Sequence, residues 1–145
     1  MPRLDNRITV DSVRSVLDGS FPGDLGIEPL EVEDDHTTGR IVVDHRHLHP
    51  GGFVHGGVWT ALADTVAAWG TFRHLPDGHD FTTVELKLNV FAAGVEGDEL
   101  IARAEPQHIG RRTQVWLVRI TRDDNQVAVF TLTQMVLQPG VTPRP

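Results

Sequence analysis

Between Val58 and Phe72 the sequence carries a single charged residue, Asp64. Val58, Trp59, Ala61, Leu62, Ala63, Val66, Ala67, Ala68, Trp69 and Phe72 leave no charged face. The stretch therefore predicts a helix buried on all sides, and the rest of the chain must supply what wraps it. Asp64 sits mid-helix, where it cannot act as an N-cap. A buried carboxylate without a partner costs several kcal/mol or gives up its charge. Either a hydroxyl such as Thr60, one turn earlier on the same face, holds it, or it is there for chemistry. Burial would raise such a carboxylate towards the range useful to a general base.

Immediately before the helix stand His55, Gly56 and Gly57. The glycines bring no side chain that would keep a ligand from their backbone. The first turn of a helix offers unpaired N–H donors and a partial positive charge, which suits a carbonyl oxygen becoming an oxyanion. His55 can pin this turn by a side-chain hydrogen bond or move a proton. Trp59, beside the turn, is a candidate lining residue for an acyl pocket. Gly56 and Asp64 are eight residues apart, about 12 Å along one helix at ~1.5 Å per residue. They cannot touch the same reacting carbon, so a second subunit is needed to bring a carboxylate to the glycine turn.

Around this centre the pattern is antiparallel. Thr9 to Gly19 reads as a short amphipathic helix with a threonine cap, and Phe21-Pro22-Gly23 as a turn. Ile27, Leu30 and Val32 suggest a strand interrupted near Pro29, Gly39 to Val43 a second, with Asp34-Asp35 at the hairpin. After the loop Leu75 to His79, Val84, Leu86, Leu88 and Val90 alternate with Glu85, Lys87 and Asn89, the period of a strand with one buried face. Leu100, Ala102 and Ala104 continue past the Gly94 to Gly97 turn. Thr113 to Ile120 is apolar on both faces and calls for a second cover, such as a subunit contact. Val127 to Leu137 is the last strand, and about 139–145 a flexible tail. Helix, two strands, buried helix and a strand meander, without β-α alternation, give an α+β domain whose sheet wraps a central helix.

The 145 residues suit one domain, residues 1–145. No apolar run approaches the ~20 residues that cross a bilayer, and the first residues lack the apolar core of a secretory signal, so no membrane association and a cytoplasmic location are expected. A net charge of -7 argues against nucleic-acid binding. Arg111 and Arg112, with Arg103, Arg119 and Lys87 on neighbouring predicted strands, still allow a positive rim for an anionic ligand. His45, His47 and His49 recur at alternate positions beside Asp44 and near His36. On an extended segment they would share a face, which raises a metal-dependent hydrolase as an alternative. No His-Glu-x-x-His spacing accompanies them, and neither metal nor cofactor is expected.

The run His55-Gly56-Gly57 then Ala61-Leu62-Ala63-Asp64, followed by Thr83 to Val90 and by Ile109-Gly110-Arg111-Arg112-Thr113, resembles the hotdog-fold acyl-CoA thioesterases of the PaaI-like, 4-hydroxybenzoyl-CoA type. The resemblance covers about 36–137. It implies a hotdog fold and hydrolysis of acyl-CoA to acid and CoA in a homodimer, paired again into a homotetramer. It also implies that the Gly56 N–H polarises the thioester carbonyl, with Gly57 beside it, while Asp64 of the opposite protomer acts as nucleophile or general base. Thr83 stands where the family's Ser or Thr holds the acid or the attacking water. Arg111 and Arg112 fall in its glycine-basic segment, as expected for CoA phosphates. The chain departs from the family at His49, seven residues before the first glycine, where Asn or Gln is usual. That departure keeps open a non-catalytic acyl-CoA-binding module, and an acyl carrier protein as the alternative carrier.

Overall fold

The computed structural model describes residues 7–140. Thr9 caps α1 (Val10–Leu17) with a reciprocal bond to Ser12, the expected amphipathic helix. Phe21–Asp24 forms α2, a single helical turn where a non-helical turn was expected. Ser20 caps it, and Pro22 in its first turn has no N–H to leave unpaired. β1 (Glu28–Val32) is irregular between Pro29 and Glu31, as the proline requires, and pairs with β2 (Thr37–Val42). A 3-10 turn at His45–His47 leads to the central helix α3 (Gly56–His74). Four strands follow: β3 (Asp80–Val90), β4 (Glu99–Ile109), β5 (Thr113–Arg122) and β6 (Asn125–Leu137). Of the expected tail, 141–145 lies outside the described residues.

The strands make one antiparallel sheet in the order β1-β2-β4-β5-β6-β3. Its inner face carries Leu100, Ala102, Ala104, Trp116, Val118, Ile120, Phe130 and Leu132, all buried under Leu62, Ala63, Val66 and Ala67 of α3. Each fully buried Leu or Val contributes roughly 1.5–3 kcal/mol, and this layer supplies most of the hydrophobic stabilisation. The helix lies close to the sheet because Gly70 is bare: a Cβ there would stand 2.4 Å from the Trp116 ring.

Two expectations are corrected at the sheet edge. The helix is not buried on all sides, because Thr60, Asp64, Ala68 and Phe72, one i,i+4 row, stay half-exposed. They flank β3, beyond which the described residues have no further strand. For the same reason Leu86 and Val90, which point to the helix side, remain 40% and 41% exposed. The alternation in β3 also breaks. Thr83 pairs with Gln134 and Glu85 with Thr133, so Val84 is a bulged extra residue, 53% exposed. A bulge shifts the side-chain phase by one. Thr83, in phase with Glu85 and Lys87 by sequence, is thereby turned to the inner face. On the other side of the sheet Val115 and Leu117 are half-buried, so the second face of β5 lacks full cover within one chain.

Candidate active site

Asp64 does not bond Thr60, whose hydroxyl donates to the Gly56 carbonyl at 3.0 Å. The hydroxyl on Asp64 is that of Thr83, which donates to Oδ1 at 2.8 Å. This contact depends on the β3 bulge. Behind it the Gln134 amide donates to Thr83 Oγ1 at 3.3 Å, and the Thr71 hydroxyl donates to Gln134 Oε1. Gln134 and Thr71 are fully buried. The sequence reading missed both, although Gln134 shares the strand phase of Phe130, Leu132 and Val136. A polar residue at a core position was the available signal.

At the start of the helix the glycine turn behaves as built for a donor, with one correction. The Gly57 N–H is not free: it donates to Nδ1 of His55 at 2.9 Å. His55 replaces the usual Ser or Asp as the helix cap, and a Cβ at 57 would stand 3.1 Å from that nitrogen, a tight approach that glycine avoids. The Gly56 N–H has no acceptor among the described residues, and a Cβ on Gly56 would meet nothing within 4 Å. Gly56 opens on a cleft of about 460 Å³ with His49, Phe53, Val54, Trp59, Val90 and Phe91 in its wall. Trp59 thus lines the pocket while being only 3% exposed. His49 Nδ1 accepts the Gly51 N–H at 2.9 Å. In the neutral ring the proton is then on Nε2, a donor aimed away from the Gly51 backbone.

The alternate histidines do not converge. His45–His47 is a turn, not an extended segment, so the two-residue spacing does not put the rings on one side. His47 is buried, accepts the Asp44 N–H and is bonded to the Leu25 carbonyl, while His45 is exposed. Asp44, the cap of this turn, is held well below the usual carboxylate range by the Arg46 guanidinium. Among the described residues no group of three metal-ligating side chains gathers.

Arg111 and Arg112 lie in the turn between β4 and β5, not on a strand. Both line one cleft of about 350 Å³ with Pro76, His79 and Gln138. The backbone bond from Val136 to Arg112 puts this cleft at the Thr83 end of β3. Arg103 and Arg119 are taken by Glu105, at 3.2 and 2.8 Å, which leaves the turn pair and Lys87 of the expected positive rim.

A six-stranded antiparallel sheet around one long helix, with an open N–H at the helix start and a carboxylate at the sheet edge, is the hotdog architecture of a thioester-cleaving enzyme. The chain belongs to the thioesterase superfamily, whose family model matches residues 51–129. It is 31% identical over 103 residues to the 1,4-dihydroxy-2-naphthoyl-CoA hydrolase of Listeria monocytogenes, covering 71% of this chain and 83% of that one. Thioesterase HI1161 of Haemophilus influenzae matches at TM-score 0.86 and 28% identity, over 94% of this chain and 96% of the other. A variant of the phenylacetic acid degradation protein PaaI of Thermus thermophilus matches at TM-score 0.74 and 27% identity, over 79% and 96%. The protein is a thioester hydrolase, which sets aside the binding-module reading. No helix among the described residues is long and apolar enough to cross a membrane.

Proposed function

We propose that the protein hydrolyses acyl-CoA to free acid and CoA in a site shared between two protomers, without a metal. The observation that carries the reading is the separation of its two halves. The open Gly56 N–H and its cleft are at one end of α3, while the Asp64–Thr83 pair is eight helical residues away at the bare edge of β3. In this reading the Gly56 N–H and His49 Nε2–H receive the thioester oxygen as it gains charge. Oδ1 of the partner's Asp64 is occupied by that protomer's own Thr83, which leaves Oδ2 to attack the carbonyl or take a proton from water. With Asp64 as base, the hydroxide so formed adds to the carbonyl, the carbon–sulfur bond breaks and the proton taken from water passes to the leaving sulfur. With Asp64 as nucleophile, the same bond breaks to leave an acyl–Asp64 anhydride, which water splits to free acid and carboxylate while the CoA sulfur takes up the released proton. Phe53, Trp59 and Phe91 favour an aromatic or medium-chain acyl group, and the aroyl-CoA named for the Listeria relative favours the former.

Two copies joined through β3 bring the halves together. Facing residues of an antiparallel ladder share a sheet face, so a two-fold axis normal to the sheet must pass through a residue. An axis at Leu86 sets Glu85 against the partner's Lys87, twice. An axis at Glu85 or Lys87 would oppose like charges, which is destabilising. The Leu86 register lays the Thr83 end of one β3 beside the partner's Val90 end, where the glycine cleft opens. It also carries Arg111 and Arg112 to that neighbourhood for the CoA phosphates. The half-covered Val115 and Leu117 offer a contact for pairing dimers into a tetramer.

The test is thiol release from a panel of acyl-CoAs. Asp64→Asn and Asp64→Ala should lose at least about 100-fold in kcat, or several kcal/mol of transition-state stabilisation. Near wild-type activity in either variant would sink the reading. Mixing Asp64→Asn with a Gly56→Val variant should restore activity through hybrid dimers. Single turnover in ¹⁸O-water, with a search for label in Asp64, separates nucleophile from base. Arg111→Ala with Arg112→Ala should raise KM by about tenfold per ~1.4 kcal/mol lost, less at high salt. An unchanged KM would point to acyl carrier protein instead.

A further inference from the structure

We infer that Gln134 is a positioning residue for the reaction: with Thr71 behind it, it fixes which way the Thr83 hydroxyl points and so presents one chosen oxygen of Asp64. The inference rests on the reading of Asp64 as the reacting acid.

The argument is one of donors and acceptors. An ionised Asp64 can only accept, so at 2.8 Å the Thr83 hydroxyl must give it its one proton. Thr83 Oγ1 can then meet Gln134 only as acceptor, which requires the amide nitrogen on that side, at 3.3 Å. The amide oxygen consequently faces Thr71, whose hydroxyl donates to it. Every proton in the row Thr71, Gln134, Thr83 points towards the carboxylate. Reversing the Gln134 amide would turn the Thr83 proton away from Asp64. Thr71 opposes that reversal, because its hydroxyl now donates to the Gln134 amide oxygen, a bond that would be lost with the amide nitrogen on that side.

Burial strengthens the inference. Gln134 and Thr71 are 0% exposed, Gln134 among apolar core residues of β6, where an apolar side chain of like size would pack without needing partners. A hydrogen-bonded network in such surroundings either has every member satisfied or costs stability. Here the row is satisfied from end to end, and it terminates on the one half-exposed acid of α3. The consequence is geometric. With Oδ1 held from β3 and β6, the carboxylate plane cannot rotate freely on the helix, and Oδ2 is the oxygen left towards the open edge.

The experiment is a double-mutant cycle in the full-length protein, read as kcat and KM separately, with Asp64→Asn as control. Gln134→Met removes the amide at similar volume, and Thr83→Val removes the hydroxyl. Each single variant should lower kcat about five- to twentyfold with KM within about twofold, since the row touches no substrate. In the Thr83→Val background Gln134→Met should have no further effect on kcat, because Gln134 acts through Thr83. Thr83→Ser should restore kcat. Should Gln134→Met fail to fold, Thr71→Val carries the same test with a smaller kcat loss, also absent in Thr83→Val. The inference is overturned if Gln134→Met and Thr71→Val lower the melting temperature but leave kcat unchanged, or if their losses multiply with that of Thr83→Val. An inactive Asp64→Asn alongside such a result leaves the site reading standing. An active Asp64→Asn overturns both.

Discussion

Reversing one charge on the free edge of β3 tests the shared site without touching any residue placed in it. Glu85 and Lys87 are exposed, point away from the helix, and straddle Leu86. If the two-fold passes through Leu86, each dimer contains the Glu85–Lys87 cross-strand pair twice. Such a pair contributes about 0.2–1 kcal/mol, and a like-charge pair costs a similar amount. Glu85→Lys therefore exchanges two attractions for two repulsions, a change of roughly 0.8–4 kcal/mol. That weakens dimerisation by about 4- to 900-fold. The measurement is the dimer dissociation constant by sedimentation at low and high salt, with specific activity followed on dilution. At low salt Glu85→Lys should dissociate and lose activity at concentrations where wild type keeps both. Raising the salt should narrow the gap, because exposed charges are screened. The double reversal Glu85→Lys with Lys87→Glu should recover the wild-type constant. A Glu85→Lys protein that dimerises as tightly as wild type, or a double reversal no better than the single one, would refute the register.

Three further outcomes follow from other parts of the molecule. Deleting Val84 removes the bulge but leaves Thr83 next to Glu85 in regular alternation, opposite Gln134 and still facing inward, so kcat should stay within about threefold of wild type, and adding Thr83→Val to the deletion should lower it as it does in the parent chain. Gly70→Ala places a Cβ against the Trp116 ring and should cost about 1–3 kcal/mol, several degrees in Tm by calorimetry, with a smaller loss in a Trp116→Phe background. Asp98 is more complex: burial raises its carboxyl, but the Val95 N–H and Arg122 outweigh burial and hold it below its ordinary value. A depressed carboxylate stabilises above the unfolded value and loses that stabilisation as pH falls through the folded one. Asp98→Asn should thus lower Tm at neutral pH, with the gap to wild type closing below about pH 4.

The parts of this molecule that follow a period were legible in its sequence. The uncharged run after Gly57 announced a helix at the centre, and the alternation from Glu85 to Val90 gave a strand with its faces correctly assigned. Where the backbone departs from its period the reading failed. Nothing in Thr82-Thr83-Val84 marks an extra residue, because any side chain tolerates this bulge, so the inward turn of Thr83 came only from pairing with β6. The histidines failed for the same reason in reverse: alternate spacing predicts a shared face only if the chain is extended, and Asp44 caps a turn there. Of the two roles the sequence leaves open for His55, pin or proton carrier, its Nδ1 bond to Gly57 is the pin, but the bond removes Gly57 as a donor. Gln134 was missed although its strand phase marks it as an amide at a core position. Identifying its partners required the order of strands, which no local pattern contains.

That order has a consequence for how the chain is made. Among the described residues β3 is the third strand to be synthesised, yet its only neighbour in the sheet is β6, the last. At ribosomal rates of about 5–20 residues per second, Val84, Leu86 and Val90 emerge and wait, unpaired on both edges, until β4 and β5 have been completed and β6 follows. The charges of Glu85 and Lys87 sit between these apolar residues during that interval and act as gatekeepers against intermolecular strand pairing. Thr83 and Gln134 also meet only then. A chain released short of Asn125 would hold the glycine turn and Asp64 but lack both the strand that seats β3 and the amide that orients the acid. Truncated products of this protein would therefore be inert towards thioesters and prone to self-association.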